Sequence, residues 1–268
     1  MDDDERAERP PLVTVVVGSY NHERYLAQAL DAVAAQTYPH IELIVTDDAS
    51  EDGSAELITA WIASNRPGTT FLRFDVNQGA CRVINAVLDL AGGTYISMVS
   101  ADDWMEPDRI ERLVEVLEEA GDGVGLVHSG ARFVDDSGRE LALVKSEPGS
   151  APSGWIYPDL LDLPVILAPT VMLRRSVFDK VGRYREDDPA EDYDMWLRIC
   201  REYEVVHVPE VLTNYRIHPE QTSQTIDRED LRTYIFACLT RHLGFSADTD
   251  EIIRRRIERL RADPQAIF

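Results

Sequence analysis

One pattern recurs four times in the first 120 residues and leaves few folds open: a short, mostly apolar run, a polar loop, then an amphipathic stretch at helical spacing. Residues 12–17 lead to Gly18-Ser19-Tyr20-Asn21 and then to Leu26, Leu30 and Val33 on one helical face. Residues 41–45 lead to Asp47-Asp48-Ala49-Ser50 and a helix over 51–64. Residues 71–74 precede Asn77-Gln78-Gly79, which opens a helix through Ile84 and Leu88. Residues 95–99 end at Ser100-Ala101-Asp102-Asp103, with a helix over 109–119 beyond. This alternation predicts an α/β fold: a mostly parallel central sheet with helices on both faces and ligands beyond the carboxyl ends of its strands. The polar loops are therefore expected to converge on one edge.

The second half is more mixed. Residues 125–134 and 140–144 flank Asp135-Asp136-Ser137-Gly138, a hairpin signal. A Pro-rich stretch over 148–169 follows, then a short strand at 170–173, a helix over 192–202 and a strand at 205–208. The tail over 230–262 predicts two helices separated near 244–250. The expected organisation is a disordered acidic N-terminus (1–10), one main domain (11–225) and a C-terminal helical extension (226–268).

Acidic residues number 49 against 27 basic, a net charge of -22, which argues against general binding to nucleic acid or an anionic membrane. An anionic substrate would need a metal ion or well-placed Arg side chains to offset the repulsion. Cys81, Cys200 and Cys238 are far apart and lack CxxC spacing, which suits a reduced protein. The opening MDDDERAERPP is the opposite of a signal peptide, and no apolar run approaches the ~20 residues of a membrane span. The expectation is a soluble, cytoplasmic protein.

Several residues carry candidate chemistry, each with a plainer alternative. Asp102 and Asp103 can hold Mg²⁺ or Mn²⁺, which take carboxylate and phosphate oxygens, beneath a diphosphate. They can also cap the following helix, which Pro107 is suited to begin. Asp48 can accept from a nucleobase imide and a ribose hydroxyl, or cap the helix after it. Gly18, Tyr20 and Asn21 would line the same pocket, Tyr20 stacking on a base, or form a plain turn. Arg82, just inside the third helix, can meet a phosphate or lie in solvent. Asp192 and Asp194 fall in the first turn of a helix with Trp196 and Ile199 inward, which suits a general base or the helix dipole alone. His218 can ligate metal, contact phosphate, or serve only as a hydrogen-bonded side chain. Trp155, Tyr157 and Trp196 could pack on an acceptor sugar, with Glu191 beside them.

Taken in order, these segments resemble the inverting GT-A-fold glycosyltransferases of family 2. The residues that carry the likeness are 13–21 with Gln36-Thr37-Tyr38, 42–50 with Gly53-Ser54, 77–85, 91–107, 191–198 and 215–218, so that it covers about residues 10–225. The resemblance implies a nucleotide-binding half (11–107) and an acceptor-binding half (108–225). It implies that Gly18, Tyr20, Asn21 and Asp48 contact the nucleoside, with Asp48 on the uracil or thymine edge, and that Arg82 meets the sugar-nucleotide donor. Asp102 and Asp103 would form the DxD-like element, Asp103 as the direct metal ligand together with His218 and Asp102 on the donor nucleotide, facing its ribose or a metal-bound water, and Asp192 would be the general base. The cofactor would be Mn²⁺ or Mg²⁺, the donor a UDP-sugar or a dTDP-sugar, and the acceptor a hydroxyl compound in glycan or cell-surface polysaccharide synthesis.

One departure is Ser100, where many members carry an acid; it removes an oxygen that would tune metal affinity or donor preference. The processive signature QxxRW is absent, Asp194-Met195-Trp196-Leu197-Arg198 standing at that stage of the chain. The competing readings are a catalytically silent sugar-nucleotide binding module and a nucleotidyltransferase, although the latter usually has a Gly-rich, basic loop after its first strand. The Arg-rich last helix offers a solvated face or a contact for a partner, including a homo-oligomer through the C-terminal helices.

Overall fold

In the computed structural model, which describes residues 10–186 and 191–263, the four apolar runs lie side by side in one half of a single sheet, with the third at its edge. Strands β1 (Val13–Ser19), β2 (Ile41–Asp47), β3 (Thr70–Arg73) and β4 (Tyr95–Ser100) run parallel in the order β3-β2-β1-β4. Helices α1 (Glu23–Ala34), α2 (Ser54–Asn65) and α3 (Ala80–Leu90) make the crossovers. Side chains alternate across β1: Val13, Val15 and Val17 join Leu26, Leu30 and Ile58 in one core, whereas Val16 joins Ile44, Ile96 and Leu173 in the other.

Beyond β4 the sheet turns mixed. Its order continues with β8 (Val171–Arg174), β6 (Val124–Val134), β9 (Glu204–Arg216) and β5 (Trp104–Met105), while β7 (Glu140–Val144) forms the expected hairpin with β6. Helix α4 (Arg109–Ala120) follows β5, and α5 (Tyr157–Asp162), α6 (Val177–Val181) and α7 (Glu191–Cys200) cover the second half. A short α8 (Thr222–Thr225) precedes α9 (Arg228–Arg241) and α10 (Ala247–Ala262), which return Cys238, Leu239, Ile253 and Leu260 to the core. No helix among the described residues is long and apolar enough to cross a membrane.

Three local features differ from the sequence reading. Asp102 and Asp103 do not feed directly into a helix: β5 intervenes, paired with β9, and the N-cap of α4 is Asp108, which places Pro107 outside the helix. Strand β9 runs to Arg216 instead of ending near residue 208. Pro209, which has no N–H for a ladder, falls where the register jumps from Ser129↔Val208 to Gly130↔Val211. The Pro-rich stretch contains α5 and a 3₁₀ turn at Ala168–Thr170, each with proline in its first turn, where a missing N–H costs nothing.

Arg174 ties the two halves together. Its guanidinium donates to the carbonyls of Val124 (3.0 Å), Leu117 (2.5 Å) and Gly121 (3.0 Å), and lies 5.4 Å from the Tyr95 ring centre. Arg174→Met would leave several of these acceptors unpaired at roughly 1–3 kcal/mol each where they are buried. A stability loss of about 3 kcal/mol or more is expected in urea unfolding, and an unchanged midpoint would show that the clamp is dispensable.

Candidate active site

The topology brings an acidic turn to the carboxyl edge of the parallel strands. After β4, the Ala101 N–H donates to the Gly18 carbonyl (2.9 Å), which ends the strand against β1. The pairing Trp104↔Asn214 and Met105↔Thr213 then carries the end of β9 alongside Asp102 and Asp103. The Arg216 N–H donates to Asp103 Oδ1 (2.8 Å), and its Nε donates to the Asp102 carbonyl (3.0 Å). The same guanidinium donates to the Asp136 carbonyl (2.9 Å) and Gln28 Oε1 (2.7 Å), and stacks near Tyr25 and Trp104.

The two carboxyls are buried yet differently held. Burial and then the neighbouring Asp102 charge push the Asp103 carboxyl well above the usual carboxylate range, against the Arg216 N–H and the positive charges of Arg216 and Arg109. Arg109 is itself fully buried; burial lowers its pKa to about 9, and Asp103 opposes that shift. Burial would also raise Asp102, but His22, the Ser100 hydroxyl and His218 together hold it below its ordinary value. His218 Nε2 lies 3.1 Å from Asp102 Oδ2 and His22 Nε2 lies 3.8 Å from it. Burial lowers the pKa of His22, with Asp102 opposing.

The acidic turn offers oxygens of the kind a divalent metal takes, while among the described residues the side chains whose ligand atoms already lie close enough together to share one are Asp194, Cys238 and His242. Asp102 Oδ1 is buried without a hydrogen-bond partner among the described residues, although a buried carboxylate oxygen ordinarily has one. Carboxylate oxygens from Asp102 and Asp103, supplemented by His218, suit Mn²⁺ or Mg²⁺.

Asp102 and Asp103 open into a cavity of about 480 Å³ that also presents His22, Ser100, Asp192, Trp196 and Gln221. Thus Asp192, in the first turn of α7, meets the acidic turn from a distant part of the chain. Its Oδ1 accepts the Tyr193 N–H (2.6 Å). Glu191 begins α7, but its side chain lies outside the described residues.

Other candidates have different surroundings. Both carboxylate oxygens of Asp48 accept backbone N–H groups, from Gln78 (2.7 Å) and Gly79 (2.9 Å), and so tie the loop before α3 to the loop after β2. Asn21 holds a left-handed conformation (φ 57°), donates its N–H to Ser50 Oγ (2.9 Å) and accepts from the Glu51 N–H (2.8 Å). Gly18 is a β1 residue opposite Ser100, and Tyr20 is exposed beside these loops. Arg82 is 55% exposed and paired with Glu186 (3.1 Å). None of these lines the cavity. Tyr157 is a core residue whose hydroxyl pairs with His242 Nδ1 (2.9 Å), and Trp155 is 60% exposed; neither lines the cavity, although Leu160 on the same helix as Tyr157 does.

His22, Arg216 and Gln221 belong to the site but were not singled out by sequence reasoning. His22 had a usable signal, a titratable side chain directly after the first polar loop. Arg216 lies within the 215–218 segment of the family pattern, but its role had no local signal, since Asp102 and Asp103 lie more than a hundred residues earlier and the β5–β9 pairing joins them.

The family model described as glycosyl transferase family 2 matches residues 14–182. The chain belongs to glycosyltransferase family 2. It is 29% identical over 220 residues to an uncharacterised glycosyltransferase of Rickettsia typhi, covering 80% of this chain and 67% of that protein. It is 28% identical over 225 residues to another from Rickettsia felis, covering 82% of this chain and 36% of that one. The fold is similar to that of Staphylococcus aureus TarS in complex with UDP-GlcNAc (TM-score 0.69, 18% identity, 94% of this chain and 73% of that chain). It is also similar to the mannosyltransferase PcManGT of Pyrobaculum calidifontis in complex with GDP-Man and Mn²⁺ (TM-score 0.73, 20% identity, 97% and 73%). The fold is therefore the GT-A arrangement that the sequence implied.

The raised pKa of Asp103 has a signed consequence. A carboxyl held above its unfolded value binds a proton more tightly in the folded state, so its ionised form destabilises the metal-free fold and the effect fades as pH falls through the raised pKa. Asp103→Asn keeps the shape and the acceptor for Arg216 without the charge. Metal-free Asp103→Asn should melt above the wild type at about pH 8, with its lead shrinking toward pH 5. A lead that does not shrink would contradict this assignment.

Proposed function

We propose that the protein transfers a sugar from a nucleoside-diphosphate sugar to an acceptor hydroxyl by a single inverting displacement, with Asp192 as base. The observation that carries this reading is one cavity lined by Asp192 and by the Asp102–Asp103 turn, acids with different surroundings on opposite halves of the chain. Family membership makes sugar transfer the chemistry to expect, and the acidic turn fits the metal-bound diphosphate of such a donor.

Asp103 and Asp102, with His218, would hold Mn²⁺ or Mg²⁺, which when bound supplies positive charge to the departing diphosphate. Asp192 accepts the acceptor's proton as the hydroxyl oxygen bonds to the anomeric carbon. The bond from that carbon to the diphosphate oxygen breaks, and its electron pair leaves with the nucleoside diphosphate. Arg216 orients the Asp103 carboxylate through its backbone N–H and fixes the turn by its bond to the Asp102 carbonyl. His22, the Ser100 hydroxyl and His218 favour the ionised form of Asp102. Ser100 thus supports an acid where many family members carry one.

UDP-GlcNAc and GDP-mannose, named for the two structural neighbours, are the first donors to screen, followed by other UDP- and dTDP-sugars. Asp192→Asn should retain donor binding by calorimetry while transfer falls by about 10²- to 10⁴-fold. Full turnover in this variant would remove Asp192 from the role. Chelation with EDTA should abolish transfer, and adding Mn²⁺ or Mg²⁺ should restore it; metal-independent turnover would refute the assignment of the acidic turn. Donor binding without hydrolysis or transfer would favour a silent binding module.

A further inference from the structure

The lining of this cavity is of two kinds. Apolar walls come from Leu160 of α5, Ile166 and Leu167 of the following segment, and Ile226, Leu231 and Ile235 on and before α9. The acids in the same lining are Asp102, Asp103 and Asp192. Arg256 of α10 also reaches the wall, with partners of its own, and the Tyr193 hydroxyl is spent on the Leu160 carbonyl (2.9 Å). Among the buried polar atoms of lining residues without a hydrogen-bond partner among the described residues are the Trp196 indole N–H and Gln221 Oε1, beside His22 Nδ1 and Asp102 Oδ1.

We infer that this chamber seats the hydrocarbon or aromatic body of an amphipathic acceptor, while the acceptor's polar head lies between Asp192, Trp196 and Gln221. The inference rests on the glycosyltransferase reading and adds the acceptor class to it. A free sugar displays hydroxyls around its whole ring, and each one pressed against Leu160, Ile166, Leu231 or Ile235 would lose its hydrogen bonds to water without replacement. An alcohol with an apolar body avoids that loss, since only its head needs polar partners. The head has two complementary ones: Trp196 can donate to an acceptor oxygen, and Gln221 Oε1 can accept from a hydroxyl. Continuity with Asp192 makes the chamber part of the reaction site, because a molecule filling it extends to the proposed base. The contribution of C-terminal helix α9 to this wall gives that extension a role in acceptor choice.

The test compares octyl β-D-glucopyranoside, below its micelle concentration, with methyl β-D-glucopyranoside. Binding to the full chain is measured by calorimetry with UDP or GDP and Mn²⁺ present. Each methylene buried is worth about fourfold in affinity, so the octyl compound should bind at least roughly tenfold more tightly. Leu231→Gln should cut that preference to about threefold or less, with Ile226→Gln as a second variant; both positions are half-buried, and melting curves report their folding. Equal affinity for the two glycosides in the wild type, or an octyl preference that survives both folded variants, would overturn the inference. If nucleotide binds in those experiments, the glycosyltransferase reading stands without it. If no nucleotide or nucleotide sugar binds at all, both fall together.

Discussion

Two adjacent carboxyls, Asp102 and Asp103, lie almost out of contact with water, and much of the local architecture answers the cost of placing like charges together in a buried position. Asp103 is met by a backbone N–H from Arg216 and lies near the buried Arg109, while Asp102 is met by Ser100, His22 and His218. These groups come from β4, the start of α1, α4 and the end of β9. The two-residue strand β5 unites them: its pairing with β9 joins the acidic turn to residues more than a hundred positions later. Carboxylate oxygens are hard donors of the kind that Mg²⁺ and Mn²⁺ take.

The same economy governs the surrounding loops, where acids and amides tie backbone to backbone. Asp47 accepts from the Ser50 N–H and hydroxyl, Asp48 from the N–H groups of Gln78 and Gly79, and Asn21 links the first loop to the second. These bonds satisfy amides that no strand or helix uses and limit the freedom of the loops at the carboxyl edge. Acids read along the chain as ligand contacts therefore have structural work in the fold.

Elsewhere in the cavity lining the logic reverses. Helices α5, α7 and α9 contribute Leu160, Trp196, Leu231 and Ile235, and Trp196 and Gln221 bring single polar atoms into that apolar setting. Acids and apolar side chains thus line one cavity.

The sequence by itself determined the parallel half of the sheet, because four apolar runs separated by amphipathic stretches can be buried in few other ways. It also determined that Asp102, Asp103 and Asp192 were the residues to watch, through their order within a family pattern. It left open whether Asp102 and Asp103 capped a helix, since a strand-loop-helix string does not show a two-residue strand whose partner lies in the second half; the structure gives that cap position to Asp108. Tyr157 and Trp196 looked alike as aromatics in the second half, yet one closes on His242 in the core and the other lines the cavity. Only tertiary structure separates them, because side-chain surroundings depend on long-range packing that local spacing does not encode.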